Sequence, residues 1–253
     1  MTINHDPMGA AIADFWRNGI AGRLRVFSPG FDEDEMPVAD LFRTFDEMPP
    51  LEQTALRLAT GRTLDVGAGA GCHSLALQER GIDVTAIDIS PLSVQTMQAQ
   101  GVSRAFEQDF WTIDEQYDTI LMLMNGIGIV GTLDALPRFF AHIGSILAPG
   151  GQLIVDSSDV RYVYEDEDSS TGLAPSYLRR NEEGIEIDPE TGRYYGEYLY
   201  QMQYKRIRGE QFHWLYIDFA TFSHAAEAAG FNAELIEEGE HYDYLARIKR
   251  AKS

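Results

Sequence analysis

The residues of this chain best suited to chemistry lie in one stretch, Leu64-Asp65-Val66-Gly67-Ala68-Gly69-Ala70-Gly71-Cys72-His73. An apolar run, Thr63 to Val66, stops at a turn in which every second residue is glycine, and a helix-forming segment, Ser74-Leu75-Ala76-Leu77-Gln78, follows. A strand that bends sharply into a helix leaves the first N–H groups of that helix without partners and puts its positive dipole end at the bend. Glycines there permit positive φ and remove the Cβ atoms that would hold a ligand off the main chain. Such a turn cradles a carboxylate or a phosphate. A dinucleotide asks for Gly-x-Gly-x-x-Gly, and here Cys72 stands where the last glycine belongs. Asp65 would also set like charge against a pyrophosphate. It suits a ligand that carries an ammonium group.

Leu64 to Gly71 resembles the first motif of the class I S-adenosylmethionine-dependent methyltransferases, whose cofactor has an amino-acid head and a sulfonium. The resemblance implies an α/β, Rossmann-like, doubly wound seven-stranded sheet of order 3-2-1-4-5-7-6 with strand seven antiparallel. It covers residues 60–156 well, and the last helix and two strands fit the family's closing hairpin. Asp65, Gly67, Ala68, Gly69 and Gly71 then hold the methionine head, with His73 beside them as a contact or a helix cap. Asp88, at the end of the second strand and followed by Ile89, can accept both ribose hydroxyls. Asp109 can accept the adenine amino group, and Phe110 and Trp111 offer ring surface to the base. Asn125 and Gly126, after the fourth strand, can hold the ammonium through backbone carbonyls. Arg43 could pair with the ligand's carboxylate or simply lie on the surface.

The elements that must position these residues form one domain in four parts. Residues 1–60 read as an N-terminal helical cap, with helices at 8–18 and from Pro49-Pro50 to Gly61, separated by an irregular stretch whose acidic run Asp32-Glu33-Asp34-Glu35 reads as a solvated face. Residues 61–156 form the cofactor-binding half, in strand-helix alternation. Ser90 and Pro91 open the helix after the second strand and Gly101 closes it. The fourth strand, Tyr117 to Met124, is a nearly continuous apolar run, as a strand covered on both faces requires. Residues 157–217 are an insertion, acidic and loop-rich until two alternating runs, Tyr198 to Tyr204 and Phe212 to Tyr216, predict an antiparallel hairpin turning at Arg208-Gly209-Glu210. Residues 218–253 supply a final helix and two antiparallel strands.

Bulk properties narrow the partners. The chain has 253 residues, enough for a sizeable single core, with 44% apolar and 24% charged residues. Its formal charge is −20, from 20 basic and 40 acidic side chains, a field that disfavours nucleic acid. One cysteine excludes an internal disulfide and a thiolate metal cluster. Residues 1–7 show no signal-peptide pattern, and no apolar run approaches a membrane span, so a cytoplasmic protein without a membrane partner is expected.

The expected function is methyl transfer from S-adenosylmethionine to a small-molecule acceptor by in-line displacement. No motif names the acceptor, because the cofactor is already activated and the protein must chiefly position the acceptor and exclude water. A base is needed only when the nucleophile carries a tightly held proton. Weak candidates for that role are His213 on the hairpin, Tyr162 and Asp156, with Ser157, Asp159 and Tyr164 nearby. His142 reads as packing or surface. Tyr194, Tyr195, Tyr198, Tyr200, Tyr204 and Tyr216 could line an aromatic acceptor pocket, pack a sheet, or join two copies in a homodimer. The alternatives are a protein that binds S-adenosylmethionine or S-adenosylhomocysteine without turnover, and a nicotinamide dehydrogenase, which Asp65 and Cys72 disfavour.

Overall fold

The structure is a computed structural model that describes residues 5–164, 178–181 and 184–251. Residues 1–4, 165–177, 182–183 and 252–253 lie outside the described residues, and with them goes much of the acidic segment expected to be loop.

Chain order runs α1 (Pro7–Asn18), β1 (Leu24–Phe27), β2 (Asp34–Met36), α2 (Pro50–Leu58), β3 (Thr63–Val66), α3 (Cys72–Glu79), β4 (Val84–Asp88), α4 (Pro91–Gln100), β5 (Ala105–Glu107), β6 (Tyr117–Met122), α5 (Leu136–Ile146) and β7 (Leu147–Ser158). It continues with the short β8 (Arg179–Arg180) and β9 (Glu186–Ile187), then β10 (Glu197–Tyr204), β11 (Ile207–Leu215), α6 (Phe219–Ala228), β12 (Phe231–Glu238) and β13 (Asp243–Arg250). Local chemistry explains the boundaries. Asp6 caps α1 by accepting the Gly9 N–H at 2.8 Å, and Ser90 caps α4 by accepting the Ser93 N–H at 2.9 Å, each with proline opening the helix.

The main sheet has the order β12-β13-β7-β6-β3-β4-β5. The β3–β4, β3–β6, β4–β5 and β6–β7 pairs are parallel, and β13 runs antiparallel to both β7 and β12. This is the expected order, strand seven included. Successive side chains alternate between the two faces of the sheet. Ile120, Met122, Leu153 and Val155 therefore meet Phe139, Phe140 and Ile143 of α5 on one face. Leu121 and Ile154 meet Leu56 of α2 and Leu77 of α3 on the other.

The N-terminal part has the two expected helices, α1 and α2, and adds a pair of strands between them. β1 and β2 join the inserted hairpin in a second, antiparallel sheet of order β11-β10-β1-β2, with Leu24 opposite Tyr204 and Val26 opposite Met202. The second half of the acidic run, Asp34-Glu35, is thus strand, while Asp32 and Glu33 stay irregular. The run's side chains still face water, where Glu33 bonds Arg25 and Glu35 bonds Arg23. A three-residue edge strand is too short for alternation to announce it, and its partner β1 is joined to the sheet by β10, which lies far along the chain. The hairpin turns at Lys205-Arg206, with Lys205 at φ 51°, not at Arg208-Gly209-Glu210, which lies within β11. Tyr204 fastens this sheet to α1: its hydroxyl donates to Asp14 Oδ2 at 2.9 Å and accepts the Gly22 N–H at 3.0 Å.

Candidate functional site

The turn between β3 and α3 has Gly67, Gly69 and Gly71 at φ 68°, 56° and 92°, a left-handed run that only glycine adopts without strain. Gly71 is the N-cap of α3 and supplies no side chain, so the first N–H groups of that helix have no capping side chain. Ser74 Oγ donates to Asp65 Oδ2 at 2.6 Å and fixes that buried carboxylate under the turn. Asp88, at the end of β4, braces the turn from the side. Its Oδ2 accepts the Gly69 N–H at 2.9 Å and its Oδ1 the Ser90 N–H at 2.8 Å. Ser90 Oγ donates in turn to Asp6 Oδ2 at 2.6 Å, tying the N-terminal cover to the same corner.

Burial raises the carboxyls here. It lifts Asp88 to about 6 against the two N–H bonds that lower it, with the charges of Asp6 and Asp65 adding to the rise. Asp65 is also raised by burial, an effect opposed by the charge of His73 and the bonds from Ser74. Cys72 is pushed to about 12 by burial and by the carboxylates of Asp65 and Glu52, so it remains a thiol.

A second cluster sits beneath the turn. Glu52 of α2 accepts from Arg43 Nη2 at 2.7 Å through Oε1, and its Oε2 lies 2.9 Å from His73 Nε2. Burial draws the His73 pKa down, but the bond to Glu52 and the charges of Asp65, Glu52 and Asp156 outweigh it and hold the ring above its ordinary value. Arg43 Nε is buried and has no hydrogen-bond partner. Arg43 is therefore not the free surface residue that a loop arginine suggests. Sequence reasoning missed Glu52. The available signal was a carboxylate on the face of α2 that buries Leu51, Ala55 and Leu56.

After β6 the chain turns through Met124 and Asn125, both left-handed at φ 64° and 57°. Asp156, at the end of β7, holds this turn by accepting the Met124 and Gly126 N–H groups, each at 3.0 Å, and Asn125 Oδ1 accepts from Ser158 Oγ at 2.9 Å. Burial raises Asp156 to about 6. Both its oxygens accept main-chain N–H groups, so it braces the turn.

The structure thus brings Arg43, Asp65, Gly67, Ala68, Gly69, Gly71, His73, Asp88, Asn125 and Gly126 to the carboxyl ends of adjacent strands β4, β3 and β6. The Gln108 N–H donates to the Asp88 carbonyl at 3.0 Å and sets the start of the Asp109–Trp111 segment beside them. Asp109 is exposed, its Oδ1 accepting the Trp111 N–H at 3.0 Å. Phe110 differs from expectation: it is buried against Phe139 and His142 and offers no face to a base. Trp111 stays partly exposed, with the Arg138 guanidinium 4.3 Å from its ring centre. His142 has a use beyond packing, since its Nε2 lies 2.8 Å from the Phe110 carbonyl. Ile89 is exposed.

The turn is covered. Leu41 lies 3.7 Å from where a Cβ on Gly69 would stand, and Ile129 lies 3.2 Å from that of Gly67. Two surface hollows, of about 280 and 220 Å3, lie elsewhere: one between α1 and α4, the other beside Thr85, Arg104 and Tyr117. Neither of these two reaches the glycine turn.

Among the acceptor-side candidates, Tyr162 is half-exposed and stacks on Tyr242, with ring centres 5.1 Å apart. His213 is exposed on β11. Its neighbour Trp214 packs so tightly on Gly128 that a Cβ there would collide with the indole. Tyr194, Tyr195, Tyr198 and Tyr204 are buried, which removes them from any contact between copies. Tyr194 and Tyr195 donate to Asp218 and Asp159 at 2.8 and 2.7 Å. Tyr200 and Tyr216 are partly open, their hydroxyls 3.3 Å apart. Among the described residues no cluster of three or more His, Cys, Asp or Glu side chains could hold a metal, and no helix is long and apolar enough to cross a membrane.

This geometry agrees with what the chain is similar to. A crystal structure of a SAM-dependent methyltransferase from Bacteroides fragilis in complex with S-adenosyl-L-homocysteine is 52% identical, covers 100% of this chain and 98% of that one, and superposes with a TM-score of 0.88. The cypemycin N-terminal methyltransferase of a Streptomyces species is 33% identical over 105 residues, 39% of this chain and 43% of the relative. The glycine N-methyltransferase of Rattus norvegicus is 28% identical over 134 residues, 45% of this chain and 44% of the relative. The chain therefore spans less than half the length of these curated relatives. A family model described as a methyltransferase domain matches residues 39–236, and the chain belongs to that methyltransferase family.

Proposed function

We propose that this protein is an S-adenosylmethionine-dependent methyltransferase acting on a small-molecule acceptor. The observation that carries the reading is the corner in which Asp88 accepts the Gly69 N–H at 2.9 Å, so that one carboxylate abuts the glycine turn above Asp65. A nucleoside with an amino-acid tail matches it end to end. The uncapped start of α3 and the unpartnered Arg43 Nε suit the tail's carboxylate, and carbonyls of the Asn125–Gly126 turn suit its ammonium. Asp88 suits the ribose hydroxyls, and Asp109 and Trp111 the base. The Bacteroides fragilis relative, crystallised with S-adenosylhomocysteine, supports the same assignment.

When bound, the cofactor supplies an activated methyl group, whose carbon–sulfur bond breaks, with the electron pair going to sulfur, as the acceptor atom bonds to carbon. The chain's residues position, shield and balance charge. Leu41 and Ile129 cover the turn and exclude water. Asp156 keeps the Met124–Gly126 turn in its strained shape. Trp214, which packs on Gly128, and Tyr200 on the second sheet, with Tyr216 just past β11, form the aromatic wall for the acceptor. The field of the chain, at −20, favours a small acceptor over nucleic acid, and the protein works in the cytoplasm, where the lone Cys72 stays reduced. Calorimetry with S-adenosylmethionine, S-adenosylhomocysteine and NAD tests the cofactor: binding of NAD alone would refute the reading. An acceptor panel with detection of S-adenosylhomocysteine tests turnover, and binding without turnover on every acceptor would favour a sensory or structural role.

A further inference from the structure

We infer that Glu52 is a positioning residue for the amino-acid end of the cofactor: it holds the Arg43 guanidinium so that Nε meets the ligand's carboxylate. The inference rests on the proposed cofactor, since it concerns one end of that molecule.

Glu52 lies in the first turn of α2, outside the glycine motif, and is 6% exposed. A carboxylate so enclosed persists only with partners on both oxygens, and it has them, Arg43 Nη2 at 2.7 Å and His73 Nε2 at 2.9 Å. His73 belongs to the first turn of α3, so Glu52 ties Arg43 from the N-terminal cover directly to the helix start that the glycine turn opens. The proximity also shows at the neighbouring thiol, where the Arg43 charge lowers the Cys72 pKa against a larger rise from burial.

Satisfied at one edge by Glu52, the guanidinium leaves Nε buried and unpaired. A buried N–H without an acceptor is unfavourable, and a donor fixed beside an uncapped helix start is what an incoming carboxylate needs. The surrounding charges select the ligand. Asp65, Asp156 and Glu52 gather three acidic groups around Arg43 and His73, which opposes a phosphate dianion and suits a zwitterionic tail attached to a sulfonium. Without Glu52 the arginine keeps its charge and loses its direction. The sugar and base, held at Asp88 and beyond, do not feel the change.

The test compares two ligands of the full-length chain by calorimetry: S-adenosylhomocysteine, and 5′-methylthioadenosine, which lacks the amino-acid tail. Glu52→Gln keeps one acceptor oxygen and turns an NH2 toward the other donor. It should weaken S-adenosylhomocysteine about tenfold, the scale of one lost charged hydrogen bond, and leave 5′-methylthioadenosine within about twofold. Glu52→Asp, which retains the charge and shortens the reach, should show the same selective loss and serves if the amide variant does not fold. Equal loss on both ligands, or no loss on either, would overturn the positioning role. A wild-type chain that binds neither ligand would instead overturn the cofactor assignment.

Discussion

The corner formed by Gly69, Asp88 and Ser90 makes a quantitative claim about pH. Asp88 accepts the ribose hydroxyls more strongly as a carboxylate than as a neutral acid, and burial raises its carboxyl from 3.8 to about 6. An acid with a raised pKa is protonated below that value, so ligand affinity should be level above pH 7 and fall as pH drops through 6, by at most tenfold per unit for one proton. In Asp88→Asn the amide holds one of the two N–H groups now satisfied at 2.9 and 2.8 Å and no longer offers the ribose a charged acceptor. The loss should be about 1–3 kcal/mol, the cost of one to two charged hydrogen bonds, or roughly 5- to 150-fold in Kd at pH 7.5. Other groups titrate nearby: Asp156 also lies at about 6, and His73 is raised. The difference between wild type and variant isolates Asp88, because those groups are common to both. Calorimetry with S-adenosylhomocysteine from pH 5 to 8 should show two curves that converge at the acid end. Parallel curves, or an Asn variant that binds like wild type at pH 7.5, would refute the placement of the ribose.

Gly71→Ala should lower stability to urea by about 2–4 kcal/mol: a residue at φ 92° is strained, and its Cβ would stand 2.9 Å from Met97 and 3.0 Å from Val102. Gly69→Ala, with Leu41 at 3.7 Å, should cost only the strain, about 1–2 kcal/mol, so equal losses would sink the packing argument. Asp6→Ala removes the cap of α1 and the acceptor of Ser90 Oγ, and should destabilise the chain by about 1–2 kcal/mol in thermal unfolding; an unchanged melting curve would mean the latch is not formed. His213→Ala, at an exposed position, should leave turnover within about twofold, whereas a loss of about 100-fold or more would restore it as a general base.

Features set by neighbours in the chain were legible from residue order. The alternating glycines beside Asp65 announced the bend, because positive φ is a property of single residues. The apolar run Tyr117–Met124 announced a central strand, which ends two residues earlier at Met122, and Ser90-Pro91 with Gly101 bounded α4 as expected. Asp88 stood out because a strand end in a parallel sheet is also a ligand edge. Phe110 misled for a related reason: residue type promises a ring but not its direction, and α5 supplies an apolar face that turns this one inward.

What residue order alone determined is the scaffold: a strand-helix alternation around one glycine bend, with acidic side chains at successive strand ends. Only the tertiary structure decided how those side chains are held. Glu52 reaches His73 across 21 residues, Asp156 reaches Gly126 across 30, and Asp6 reaches Ser90 across 84. No local pattern encodes such bonds, because each partner is an ordinary residue until burial removes water as the alternative. The edge strand β2 was hidden for a different reason: its partner β1 is close by in the chain, but three residues are too few to show alternation.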